Sequence, residues 1–217
     1  MINTRRLITH GCSFTYGEEL ADPTISSWPA LVASSLEIDL INLAKPAYSN
    51  DAIVEDMVDI DLDEDDLVII CWTSYIRMKF VDDEGMFTTL PRHNQIGLNR
   101  SRNELVVRIL ASANNGWLYR RWLSQVILMQ SYLESKRCRW IFFNAFDNQR
   151  MPPKNLRNLT DKIQIGNFPG WPDQGFVEWA YGSPTGPKNH PLEQGHQAVA
   201  DKLLAHIKYR YDLPKNY

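Results

Sequence analysis

The sequence predicts an α/β protein, a three-layer α/β/α sandwich built on a parallel sheet of about five strands. Three observations predict it. Short, continuously apolar runs recur along the chain, as strands covered on both faces require. Helical stripes lie between them, and strand–helix alternation with right-handed crossovers implies a parallel sheet. The length, 217 residues, suits one such domain with a sizeable core.

Four runs read as strands: Leu7 to His10, Ile38 to Asn42, Leu67 to Trp72 and Trp140 to Asn144. Lys162 to Gly166 is the best position for a fifth. Ser27-Trp28-Pro29 offers a serine cap and an early proline ahead of Leu31, Val32 and Leu36. Asn50 is placed to cap a helix through Ile53, Val54, Met57 and Val58. A long helical pattern from Asn103 to Lys136 has a break signal at Asn114-Asn115-Gly116, and a last helix follows Gly195. Two stretches break the rhythm, Asp82 to Asn99 and Asp147 to Asn189. The second is rich in Pro, Gly and aromatics and reads as an ordered lid. The acidic run Asp59 to Asp66 reads as a solvated turn rather than a metal loop.

Hydrophobic residues at 44%, charged residues at 23% and a net charge of -3 describe an ordinary globular chain. They give no electrostatic footprint for nucleic acid. Arg100, Arg102, Arg108, Arg120 and Arg121 recur at helical spacing, which suggests a solvated helix face, with anionic-ligand binding as the alternative. Cys12, Cys71 and Cys138 lack paired spacing, so neither a disulfide framework nor a zinc site is expected. Neither a secretory leader nor a membrane span is visible, and a cytoplasmic location is the expectation.

The chemistry-bearing residues lie at strand ends. Ser13 follows the first strand and a glycine turn, which would set its hydroxyl at the carboxyl edge of the sheet beside free backbone N–H groups. His190 stands just ahead of the last helix. Serine needs a neighbouring base to become a nucleophile, and histidine suits that role at neutral pH. The G-x-S-x-G elbow is incomplete, with Thr15 at the second glycine position.

Four blocks in order resemble those of the SGNH (GDSL-type) hydrolases. Gly11-Cys12-Ser13-Phe14-Thr15 is similar to the block that holds the nucleophile. Asn42 to Asn50 resembles the second block, Val68 to Ser74 lies where the third belongs, and Asn189-His190-Pro191 resembles the last. The resemblance spans nearly the whole chain and implies a flavodoxin-like strand order 2-1-3-4-5; with the lid-like segment at about 147–189 read from composition, a single domain, 1–217, is expected. It implies Ser13 as nucleophile, His190 as base, and an oxyanion hole from the N–H groups of Ser13 and Ala47 with Ser74. No metal or organic cofactor is implied. The partner expected is a small-molecule or carbohydrate ester, with no nucleic acid or membrane.

The departures are specific. Ala47 replaces a glycine, Ser74 an asparagine, and Pro187 the aspartate three residues before the histidine. A backbone carbonyl, or a lid carboxylate such as Asp173 or Glu178, is the alternative partner for His190. These gaps support the rival expectation, a catalytically degenerate binding or structural protein on the same fold. His10 and His196 read as capping or packing residues, and Cys12 as structural. Arg77 reads as a ligand for an anionic substrate group or as a surface ion pair. Trp171, Phe176, Trp179 and Tyr181 read as the lining of a cleft or as packing within the lid.

Overall fold

The computed structural model describes residues 4–83, 85–88, 100–146 and 156–211. Strands β1 (Arg6–His10), β2 (Asp39–Asn42), β3 (Asp66–Trp72) and β6 (Arg139–Asn144) form one parallel sheet in the order β2-β1-β3-β6. The register aligns Leu7 with Leu40 and Leu67, and Val68 with Trp140. Strands β4 (Lys79–Asp82) and β5 (Gly85–Thr88) make a separate antiparallel hairpin whose second strand lies in the stretch expected to be irregular, Asp82 to Asn99.

Side chains alternate across the sheet with the period of two that a strand imposes. On one face Ile8, Val68, Ile70, Trp72, Trp140 and Phe142 pack against helices α4 (Asn50–Asp59) and α6 (Asn115–Ser135). On the other, Leu7, Leu67, Ile69, Cys71, Ile141 and Phe143 meet α3 (Trp28–Leu36) and α9 (Glu193–Tyr211). Both faces are covered, which is why the strands are apolar throughout. Each fully buried Leu, Ile or Phe contributes roughly 1.5–3 kcal/mol. The break expected near Asn114 is real: α5 (Arg100–Ser112) ends there, and the Asn114 side chain accepts from Gly116 and Trp117 to start α6.

Four sheet strands are found among the described residues, not five. Lys162 to Gly166 forms tight turns and a 3-10 segment, because its backbone groups are already engaged. Gln130 on α6 donates to the Lys162 carbonyl at 2.7 Å and accepts from the Gln164 N–H at 3.3 Å, while Ile163 fills the core. At the end of β6, Gly175 makes a single parallel bridge to Asn144.

The capping pattern also differs. Ser49, not Asn50, caps α4, accepting from the Ala52 N–H. The buried Asn50 amide instead accepts from the Thr73 N–H at 3.0 Å and donates to the Thr73 carbonyl at 3.1 Å. At α3 the side chain of Ser27 makes no capping bond; His196 Nδ1 accepts from the Trp28 N–H at 3.0 Å. Of the basic residues expected on a solvated helix face, Arg100 pairs with Glu104 in the open, whereas the Arg102 side chain is largely buried against Asp82 and Arg121 forms a partly buried pair with Asp51. Among the described residues no helix is long and apolar enough to cross a membrane.

Of the lid segment, residues 147–155 lie outside the described part. The remainder packs down rather than standing open: Phe168 and Phe176 are buried, Trp171 stacks on Trp122, and Trp179 stacks on Phe143. Only Tyr181 of the four candidate cleft aromatics is freely exposed, at 90%. The other three serve as core.

His196 gives the fold a pH dependence. Burial, and secondarily the nearby His190, push its pKa down to about 4 from an ordinary 6.5. The neutral ring is required, since Nδ1 must keep its lone pair for the Trp28 N–H. A depressed folded-state value means that the unfolded chain takes up the proton first as pH falls. Stability is therefore full above pH 6.5 and declines towards about pH 4, by about 3 kcal/mol in all. Burial lowers the pKa of His10 as well, adding a loss of the same sign. Urea midpoints measured between pH 7 and 4.5 should fall steadily, and His196→Asn should flatten that slope.

Candidate active site

Strand β1 delivers the chain to the carboxyl edge of the sheet, where Gly11 turns it. A Cβ on Gly11 would stand 2.2 Å from Thr15 Oγ1 and 3.0 Å from the Cys71 carbonyl, so only glycine fits. Cys12 then caps the short helix α1 (Ser13–Tyr16), with Ser13 as its first residue. The Cys12 side chain is buried in the core cluster that holds Leu7 and Cys71, which makes it structural. Ser13 is 5% exposed. Among the described residues neither its N–H nor its Oγ is hydrogen-bonded, as expected where a helix begins.

The second block follows β2. Asn42 ties it to the serine turn, accepting from Thr9 Oγ1 and the Ala44 N–H and donating to the Thr15 carbonyl at 3.2 Å. Ala47 has φ 60, the left-handed conformation that glycine adopts freely. Its N–H also has no acceptor among the described residues. Because alanine already carries this strain, Ala47→Gly should leave stability within about 1 kcal/mol. Ala47→Val should cost roughly 1–3 kcal/mol. Urea unfolding of the two variants checks the contrast.

Behind this loop, His10 Nε2 lies 3.3 Å from Asp56 Oδ2, which also accepts from Tyr48 and Lys45. His10 Nδ1 accepts from the Gly11 N–H, so the ring is neutral and its proton is on Nε2. The hydrogen bond from His10 is the main reason the Asp56 pKa lies far below the ordinary aspartate value. His10 thus anchors the second block to the end of β1, a core role. After β3, Ser74 is partly exposed and its hydroxyl forms no hydrogen bond among the described residues.

The residue that the sequence reading missed is Glu19. Asp173 is exposed, and Glu178 makes no hydrogen bond to His190; the carboxylate at His190 comes from just after α1. Glu19 Oε2 lies 3.0 Å from His190 Nδ1 and accepts from the His190 N–H at 3.1 Å. The Lys188 N–H donates to both of its oxygens, at 2.9 and 3.0 Å. Partial burial works to raise the Glu19 pKa, but the two backbone donors and the imidazole outweigh it and hold the carboxyl below its ordinary value. With Nδ1 facing a carboxylate, the ring proton belongs on Nδ1 and Nε2 carries the free lone pair. Glu18 Oε2 lies 3.7 Å from that Nε2.

This approach is built into the backbone. Glu19 has φ 73 and Asn189 φ 63. A Cβ on Gly186 would come within 2.7 Å of the Glu19 carboxylate. Gly186 and Asn189 close a turn with Pro187 and Lys188 at its tip. Pro187 is exposed there, away from the carboxylate's position.

The Ser13 and His190 segments meet through Phe14, whose ring lies 5.2 Å from the imidazole. No direct hydrogen bond joins Ser13 Oγ to His190 among the described residues. Nor does any group of three or more His, Cys, Asp or Glu side chains there converge as a metal site.

The architecture has solved counterparts. A lipolytic protein of the G-D-S-L family from Veillonella parvula is 14% identical, with 93% of this chain and 97% of that one covered and a TM-score of 0.51. The psychrotrophic esterase EstA from Pseudoalteromonas sp. is 10% identical over 96% of this chain and 100% of that one, with a TM-score of 0.55. A carbohydrate esterase family 2 enzyme from Corynascus thermopiles is 14% identical over 96% and 67%, also with a TM-score of 0.55. They share the SGNH fold with this chain. No curated protein matches it. A family profile matches residues 19–215, beginning just after the Ser13 turn. The chain therefore belongs to the family of unknown function DUF6071, on the fold of the GDSL-type lipolytic proteins.

Proposed function

We propose that this chain is a serine esterase that cleaves a carboxylic ester, acting as one domain over residues 1–217. The observation that carries this reading is the Glu19 carboxylate at 3.0 Å from His190 Nδ1. It supplies the orienting acid whose usual place Pro187 occupies. Ser13 Oγ attacks the carbonyl carbon as His190 Nε2 takes its proton, and the imidazolium formed is stabilised by Glu19. The N–H groups of Ser13 and Ala47, with the Ser74 hydroxyl, hold the oxyanion. Collapse transfers the proton from His190 to the leaving alcohol, and water then releases the acyl group from Ser13 by the same steps in reverse. Carbohydrate O-acetyl esters are one substrate class, suggested by the likeness to the Corynascus carbohydrate esterase.

A second reading, a binding protein with a degenerate site, is favoured by one observation. Glu18 Oε2 stands 3.7 Å from His190 Nε2, on the nitrogen that a nucleophile would use. Labelling with a fluorophosphonate separates the two, because only an activated serine reacts quickly. Rapid modification mapped to Ser13 supports the esterase; an inert Ser13 in folded protein supports the binding protein.

A further inference from the structure

We propose that Arg77 forms a carboxylate subsite at the Ala47–Tyr48 loop of the candidate active site, so that the ester cleaved there carries a negative charge. This rests on the esterase reading for its substrate but not for its binding geometry.

Arg77 is 9% exposed, a nearly enclosed guanidinium. Its Nη1 donates to the Tyr48 carbonyl at 3.2 Å, one residue beyond Ala47. Its Cζ lies 5.5 Å from the centre of the Phe146 ring. That ring meets Phe14 edge-on at 4.9 Å, and Phe14 meets His190 at 5.2 Å. Arg77 thus adjoins both the oxyanion loop and the aromatic wall shared with the catalytic histidine.

What the guanidinium lacks is a counter-charge. Among the described residues no carboxylate lies within 4.0 Å of it. Nε is shielded from solvent with no acceptor, and Nη2 has none either. These two nitrogens share one edge of the planar group, the fork that matches the two oxygens of a carboxylate. Leaving buried charged donors unpaired is unfavourable, and an anion at that edge supplies the missing acceptors. A carboxylate that reaches Nη2 takes Nε as the side chains covering it shift. The neighbouring Arg121 is already paired with Asp51 and only donates to the Arg77 carbonyl, so it does not compete for the ligand.

Two matched ester pairs test the proposal: 4-acetoxybenzoate against its methyl ester, and phenyl hydrogen succinate against phenyl butyrate. They place the carboxylate on the alcohol and acyl sides respectively. Arg77→Met should lower kcat/KM for the anionic member of at least one pair by roughly 10- to 100-fold, mainly through KM, the scale of a charge-assisted hydrogen bond. The neutral members should change less than about 3-fold. Arg77→Lys keeps the charge without the fork, should recover only part of the loss, and serves if the methionine variant fails to fold.

Binding is read separately in Ser13→Ala protein by calorimetry with 4-acetamidobenzoate and its methyl ester. The anion should bind at least about 10-fold more tightly, and the preference should vanish with Arg77→Met added. Equal binding of the two together with equal losses in both members of both ester pairs overturns the subsite even where Ser13 reacts with fluorophosphonate. Charge-selective binding beside an inert Ser13 keeps the subsite and overturns the hydrolase.

Discussion

Ser13→Ala is expected to reduce ester hydrolysis by roughly 10³-fold or more and to abolish fluorophosphonate labelling. His190→Ala should do the same, and the double variant should fall little further, since nucleophile and base act as one unit. Ser13 opens α1 with its N–H and hydroxyl both uncommitted among the described residues, and the next residue, Phe14, packs at 5.2 Å against His190, whose Nδ1 faces the Glu19 carboxylate. The readout is kcat/KM on 4-nitrophenyl acetate, with near-wild-type urea midpoints showing that the variants still fold. Retained hydrolysis in folded Ser13→Ala protein would assign the activity to another group.

Much of this was legible in the sequence because burial imposes a strong pattern. Four strands were visible as apolar runs, since both sheet faces are covered and a strand such as Asp66–Trp72 is buried from end to end. Ser13 after the first strand and His190 ahead of the last helix followed from the same pattern, whereas Ala47 and Ser74 were named only through the family resemblance. Two features resisted. The expected fifth strand carries strand-like Ile163 and Ile165, yet Gln130 from a distant helix captures its backbone, a tertiary contact that no local pattern encodes. Glu19 was hidden for a different reason. The resemblance directed the search to the residues before His190, whereas the carboxylate arrives from 171 positions away. The available signal was Glu18-Glu19 just beyond the Ser13 turn, together with Gly186 near the histidine, but only the fold shows that the glycine makes room for the carboxylate.

Glu19→Gln should lower kcat by roughly 10²- to 10⁴-fold while changing KM little, because the lost charge matters most when the imidazolium forms. Glutamine keeps one carbonyl oxygen for the Lys188 and His190 N–H groups, so the loop has a substitute acceptor. It cannot offer an anionic acceptor to Nδ1–H, nor enforce that tautomer. In the wild type the charge is dependable, since those backbone donors and the imidazole hold Glu19 ionised below the ordinary glutamate range. Glu19→Asp should retain more activity than Glu19→Gln, limited by its shorter reach. Pro187→Asp in the wild-type background should give little gain, because His190 Nδ1 is already engaged. The same change in a Glu19→Ala background should recover part of the activity if an aspartate at the turn tip can reach the ring. Steady-state kinetics on the four variants, with circular dichroism to confirm folding, decides the matter. Wild-type kcat in folded Glu19→Gln protein would reduce Glu19 to a loop anchor and leave His190 without an acid.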